Sequence, residues 1–148
     1  MTAGELCIRR IVTADRDESV VDAARRMLEE NVGDLVVVEQ FADSAIPIGI
    51  VTDRDLTLGV LSRGTPAAFE LRIRDVMQTD LITVYDDEDA SVALGKLERY
   101  KVRRVPVVNH SGVLQGILTL DDLISWIREQ LDHAAGVGAR QSATVGPR

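Results

Sequence analysis

Two octapeptides of the same pattern contain the side chains best suited to hold a small ligand. The chain reads GIVTDRDL at 49–56 and GILTLDDL at 116–123. If a helix begins at each threonine, the aspartate three residues later lies near it, beside backbone N–H groups without partners in the helix. An ionised aspartate can accept hydrogen bonds from two adjacent ribose hydroxyls, and a helix N-terminus favours a phosphate. The candidate pairs are Thr52 with Asp55 and Thr119 with Asp122.

The same pairs have a purely structural alternative. Threonine and aspartate are common at helix starts whether or not a ligand binds there, because their side chains cap the first N–H groups. A single occurrence would favour capping. The doubling of the motif favours a ligand role, and Arg54, inside the first motif, adds a side chain that could contact a phosphate.

The motifs close the two copies of an internal repeat. Residues 4–18 align with residues 74–88 at a shift of 70, and the same shift places LVVV over VPVV without a gap. After a deletion of three residues in a turn, a shift of 67 superimposes the two octapeptides. The repeat therefore has to be interpreted before any single element.

Each copy predicts strand, helix, strand, strand, helix, with the two later strands forming a hairpin and the final helix beginning at the threonine. One copy of about fifty residues would be marginal alone, whereas two could enclose one core. We predict an α/β (α+β) fold of two β-α-β-β-α repeats related by a pseudo-two-fold axis. The predicted parts are repeat 1 over 4–61, a connection over 62–73, repeat 2 over 74–131 and a disordered tail over 132–148.

Composition narrows the possible functions. The net charge of −7 disfavours nucleic acid as a partner, although 15 of the 17 basic residues are arginine, which suits small anions. The single cysteine, Cys7, excludes an internal disulfide, and we expect it to be a small core residue. Without a long apolar run, the sequence predicts no membrane association and a cytoplasmic location.

With its ordered repeats, each closed by glycine, aliphatics, threonine, two residues and aspartate, the chain resembles the cystathionine-β-synthase (CBS) domain family over about residues 4–131. The segment RRVPVV at 103–108 adds to this likeness. A tandem pair of these domains is called a Bateman module. The resemblance implies two clefts between facing sheets that accept adenosine nucleotides or related compounds, with the motif aspartate on the ribose and arginines before the second hairpin near the phosphate.

Carried over residue by residue, the resemblance and the repeat alignment give one set of candidate ligand-binding residues. The set is Thr13, Thr52, Arg54, Asp55, Thr83, Arg103, Arg104, Val105, Pro106, Thr119 and Asp122. Arg103 and Arg104 have an alternative as solvated or ion-paired surface groups, and Pro106 has an alternative as the mark of an edge strand.

The two copies differ in charge. Copy two has Asp121 where copy one has Arg54, and copy one has Gly33 and Asp34 where copy two has its arginine pair. If each cleft uses only its own copy, neither has a full set of basic residues. If residues cross between the copies, one cleft could gather Arg54 and both later arginines. We predict that GIVTDRDL marks the better phosphate site.

The expected function is non-catalytic: a regulatory module that binds an adenosyl ligand (AMP, ADP, ATP, NAD or S-adenosylmethionine class), needs no cofactor and signals to a downstream protein that the sequence does not identify. The chain has no P-loop, dinucleotide-binding glycine fingerprint or Cys/His cluster for metal catalysis. The resemblance also implies a homodimer through the closing helices. The alternative function is a ligand-free dimeric scaffold.

Overall fold

The computed structural model describes residues 1–144, with side chains through residue 138. The helices and strands, in chain order, are α1 (Ala3–Leu6), β1 (Thr13–Ala14), α2 (Val20–Glu30), β2 (Asp34–Phe41), β3 (Ser44–Thr52), α3 (Asp53–Gly59), α4 (Ile73–Val76), β4 (Val84–Tyr85), α5 (Ala90–Tyr100), β5 (Arg104–Val108), β6 (Leu114–Thr119) and α6 (Leu120–Thr144). Two 3-10 turns, Leu61–Arg63 and Pro66–Glu70, lie in the connection between the repeats.

The strands form two three-stranded sheets of the same topology. In the first, β1 is parallel to β2 and β2 is antiparallel to β3; in the second, β4, β5 and β6 repeat this arrangement. The bulges between Val37 and Val38 and between Val107 and Val108 are also equivalent under the shift of 70. The predicted hairpins, helix starts and α/β class are therefore confirmed.

Each sheet is buried on both faces. Along β2, Leu35 and Val37 point into a core shared with α2, and along β5, Val105 and Val107 do the same toward α5. The side chains between them project from the opposite faces. Val36 and Pro106 are nevertheless fully buried, and the two sheets contact each other through β3 and β6.

Two short segments, residues 3–8 and 73–78, each pack against the opposite half, and we call them the crossing segments. Helix α1 and Cys7 belong to the core of the second sheet, whereas Ile73 and Met77 pack in the core of the first. Isolated bridges join Ile8 to Ile117 and Ile50 to Gln78. The burial of Cys7 confirms its prediction as a core residue, and burial raises the pKa of its thiol. The units of packing therefore differ from the units of the sequence repeat.

These crossings explain the glycine that opens each octapeptide. A Cβ at Gly49 would lie 2.6 Å from the carbonyl oxygen of Gln78. A Cβ at Gly116 would lie 2.3 Å from the Cys7 sulfur and 2.9 Å from the carbonyl oxygen of Ile8. Since the crossing segment from the other half runs against each glycine, no larger residue fits without displacing it.

The predicted disordered tail does not match the structure over 132–144. Helix α6 continues to Thr144 although the side chains of residues 131–138 are exposed. The lack of an apolar period predicted disorder, but these residues continue a helix that is already formed, and adding residues to a helix costs less free energy than starting one. Residues 145–148 of that prediction lie outside the described residues. Among the described helices, none is long and apolar enough to cross a membrane.

Candidate functional site

The first threonine–aspartate pair forms a capping box at the start of α3. The N–H of Asp55 donates to Thr52 Oγ1 at 3.1 Å, and the N–H of Thr52 donates to Asp55 Oδ2 at 2.8 Å. The side-chain amide of Gln78 also donates to both carboxylate oxygens of Asp55, at 3.0 and 3.2 Å. The structural alternative for this motif is thus realised, and the carboxylate has an additional partner from the crossing segment.

The second pair has the same geometry at the start of α6. The N–H of Asp122 donates to Thr119 Oγ1 at 3.2 Å, while the N–H and hydroxyl of Thr119 lie 2.9 and 2.6 Å from Asp122 Oδ2. The residue equivalent to Gln78 is here Ile8, which has no side-chain donor. The two aspartates therefore differ in their surroundings.

A cleft of about 350 Å³, which we call cleft A, opens beside the first motif. Its wall combines the motif of copy one with the crossing segment and hairpin entry of copy two. The lining residues are Gly33, Ile50, Thr52, Asp53, Arg54, Gln78, Asp80, Leu81, Ile82, Lys101, Val102, Arg103 and Arg104. The arrangement is the one in which residues cross between copies, and it brings Arg54, Arg103 and Arg104 to one cleft.

A second cleft of about 390 Å³, cleft B, is the pseudo-symmetric counterpart beside the second motif. Most of its residues are those of cleft A shifted by 70 in the first part of the repeat and by 67 in the motif. The lining residues are Ile8, Arg10, Ile11, Val12, Asn31, Val32, Gly33, Asp34, Arg104, Ile117, Thr119 and Asp121. The internal repeat of the sequence thus gives two clefts lined by equivalent positions.

The clefts differ in charge. Cleft A has four basic residues (Arg54, Lys101, Arg103 and Arg104) against two acidic ones (Asp53 and Asp80), a net charge of +2. Cleft B has two basic residues against two acidic ones, a net charge of zero. Since a concave site focuses the field of the charges that line it, cleft A attracts anions more strongly than cleft B.

The basic residues of cleft A differ in whether they form ion pairs. Arg104 forms a salt bridge with Asp34, its equivalent under the repeat, so this pair lies close to the pseudo-two-fold axis. Arg103 lies 3.8 Å from Asp121, and both side chains are largely exposed. Within the described part of the chain, Arg54 and Lys101 are not in salt bridges, so their charges in cleft A are the least compensated.

Several predicted site residues do not line either cleft. Thr13 and Thr83 lie near the short parallel strands, where their carbonyl oxygens accept hydrogen bonds from Arg26 and Lys96. Val105 belongs to the core of the second sheet, and Pro106 is fully buried. The edge-strand alternative for this proline is wrong, because β5 is the central strand of its sheet.

The motif aspartates are also set back from the cleft surfaces. Thr52 and Thr119 line clefts A and B, but Asp55 and Asp122 are absent from both linings. Sequence reasoning missed Gln78 and Lys101, which do line cleft A. Lys101 follows α5 in the left-handed conformation, as its repeat equivalent Asn31 follows α2, but nothing local in the sequence marks it as a cleft residue.

Comparison with known proteins agrees with the two-repeat fold. The model of the family described as "CBS domain" matches residues 3–62 and 73–129. An uncharacterized protein of Methanopyrus kandleri is 34% identical over 124 residues, which are 84% of this chain and 61% of that protein. The uncharacterized protein YlbB of Bacillus subtilis is 34% identical over 134 residues, 87% of this chain and 86% of that protein.

Among solved structures, the CBS domain pair of protein MJ0100, in complex with 5′-methylthioadenosine and S-adenosyl-L-methionine, superimposes with a TM-score of 0.74. It is 22% identical, and the match covers 88% of this chain and 98% of that one. At this identity the likeness concerns the fold.

Proposed function

The chain belongs to the CBS domain family, and we propose that it is a non-catalytic regulatory module that binds an adenosine-containing ligand with its phosphate in cleft A. Binding is then signalled to a partner protein. The observation that carries the proposal is the net charge of +2 of cleft A, where Arg54 and Lys101, which form no salt bridge with any residue the structure describes, lie beside Arg103 and Arg104.

The electrostatics of cleft A suit a phosphate. The motif threonine Thr52 is the N-cap residue of α3, and Arg54 lies in the first turn of that helix. A guanidinium can donate two parallel hydrogen bonds to phosphate oxygens, which is the strongest contact available to these side chains. A polyphosphate such as ADP or ATP fits the net charge of +2 better than the sulfonium of S-adenosylmethionine does.

The remaining lining suits a base. Ile50, Leu81, Ile82 and Val102 add apolar surface to the lining of cleft A. An apolar wall with a few convergent polar groups is the usual composition of a small-molecule site. The complex of the MJ0100 domain pair with two adenosyl compounds adds support for adenine as the base, while the differing charges of clefts A and B support unequal occupancy.

The test is calorimetric titration of the purified chain with AMP, ADP, ATP, NAD and S-adenosylmethionine. We expect a phosphate-bearing ligand to bind, and Arg54→Gln to weaken it about tenfold because one charge-assisted contact is lost. The matched control is Arg25→Gln, since Arg25 is exposed on α2 and lines neither cleft. Absence of binding by all five compounds, or equal binding by both variants, would refute the proposal.

A ligand-free scaffold is the second candidate. It is favoured by the capping boxes, which use both motif aspartates without any ligand, and by an apolar groove of about 360 Å³ between α2, α3 and the connection. In either function we propose a homodimer through the closing helices, where Leu58 and Ile124 are exposed. A nucleotide retained through purification and identified by mass spectrometry would argue against the scaffold.

A further inference from the structure

Gln78 is the polar side chain of the crossing segment that stands between cleft A and the motif aspartate. It lines cleft A, whereas Asp55 does not. Its side-chain nitrogen lies 3.0 and 3.2 Å from the two oxygens of Asp55. A ligand that enters cleft A therefore meets the amide of Gln78 before it can reach the carboxylate.

The orientation of this amide follows from chemistry. An ionised carboxylate only accepts hydrogen bonds, so the NH₂ group of Gln78 has to face Asp55 and its carbonyl oxygen has to face away. The oxygen Oε1 makes no hydrogen bond within the described part of the chain. Asp55 thus fixes the amide with a free acceptor directed away from the capping box.

The backbone beneath the amide is held in place. The N–H of Gln78 donates to the carbonyl of Ile50 at 2.8 Å, and the N–H of Ile50 donates to the carbonyl of Gln78 at 3.1 Å. Gly49 packs directly against that carbonyl. The backbone of Gln78 is therefore fixed by Ile50 and its amide by Asp55, and such a fixed geometry favours a defined contact with a ligand.

We infer that Gln78 is the specificity-determining acceptor for a ribose hydroxyl in cleft A, and that Asp55 is a positioning residue that orients it. The inference rests on the proposed function. It assigns the hydroxyl contact to a residue outside the octapeptide, and it makes the clefts unequal a second time, because cleft B has Ile8 at the equivalent position and lacks this acceptor.

The experiment compares ribose and deoxyribose ligands. The nucleotide that binds the wild-type chain most tightly among AMP, ADP and ATP is titrated beside its 2′-deoxy and 3′-deoxy forms. Gln78→Leu removes the amide at nearly constant volume, and Gln40→Leu is the control, since Gln40 lies on β2 and lines neither cleft. Circular dichroism and a melting curve check that each variant folds.

We expect the wild-type chain and the control to bind the ribonucleotide about five- to tenfold more tightly than at least one deoxy form, and Gln78→Leu to reduce this ratio below about twofold. If the hydroxyls instead bind Asp55 directly, loss of Gln78 frees the carboxylate and the ratio stays or rises, which overturns the inference. Equal binding of all forms by the wild type also overturns it. Failure of every nucleotide to bind refutes the proposed function itself, and the inference with it.

Discussion

Gly49→Ala is a direct test of the crossing between the two halves. The new methyl group would lie 2.6 Å from the carbonyl oxygen of Gln78 and 3.3 Å from the sulfur of Met77. The thioether can move, but the carbonyl belongs to the main chain of Gln78, which is tied to Ile50 by one hydrogen bond at this carbonyl and one at its N–H. To reach at least 3.0 Å, the crossing segment has to move away from β3 and strain both bonds.

The expected cost combines overpacking, about 1–3 kcal/mol, with the weakening of two backbone hydrogen bonds, each about 0.5–1.5 kcal/mol. We expect Gly49→Ala to lower the free energy of unfolding by about 2–4 kcal/mol. For a chain of this size that corresponds to a fall in melting temperature of roughly 6–12 °C. Urea unfolding followed by circular dichroism measures the free energy, and calorimetry measures the temperature.

The matched control is Gly95→Ala. Gly95 lies within α5, and a Cβ there would have no atom within 4 Å. Alanine should therefore stabilise the helix by about 0.5–1 kcal/mol. If Gly49→Ala were as stable as the control or the wild type, the crossing segment would not lie against the octapeptide, and the reasoning about both motif glycines would fail.

Three further predictions concern other parts of the molecule. The hydrogen bond and charge of Asp87 raise the pKa of His110 above its usual value, and NMR titration should show this pKa falling in Asp87→Asn. Because the pKa of His110 is raised, the stabilisation from this pair is fully present below the ordinary histidine pKa and is lost as the pH rises through the raised pKa. An unchanged His110 titration in Asp87→Asn would contradict the pairing. Light scattering should give a mass of twice 16.2 kDa, and Leu58→Glu should shift it toward the monomer, whereas a monomeric wild type would refute the dimer. Thr119→Ala should cost about 1 kcal/mol in urea unfolding through loss of the cap, and no loss would show that the capping box of α6 contributes little.

Local signals predicted the five elements of each repeat, although not the short helices α1 and α4. The apolar runs LVVV and VPVV, the turn residues after them and the threonine before each closing helix act over a few residues, and each led to the element observed. The pseudo-symmetry followed from the repeat. Helix α6 beyond residue 131 was missed because exposed helical residues leave no apolar period to detect.

Long-range pairing was not predictable in the same way. Ile8 meets Ile117 across 109 residues, and no local pattern records that contact. The crossing of charged residues into cleft A was left open for the same reason, since it depends on how the halves pack. Gln78 was missed because its side chain contacts Asp55, a partner from the other repeat.

The exchange of α1 and α4 makes the module a single folding unit. Each core is completed by a segment of the opposite half, Cys7 in one and Ile73 in the other, so a half cut at the connection would lack part of its own interior. Unfolding should then proceed in one transition, although the sequence reads as two repeats. The same segments run on into the walls of the clefts, so a molecule bound there would touch both halves and stabilise the whole chain against unfolding.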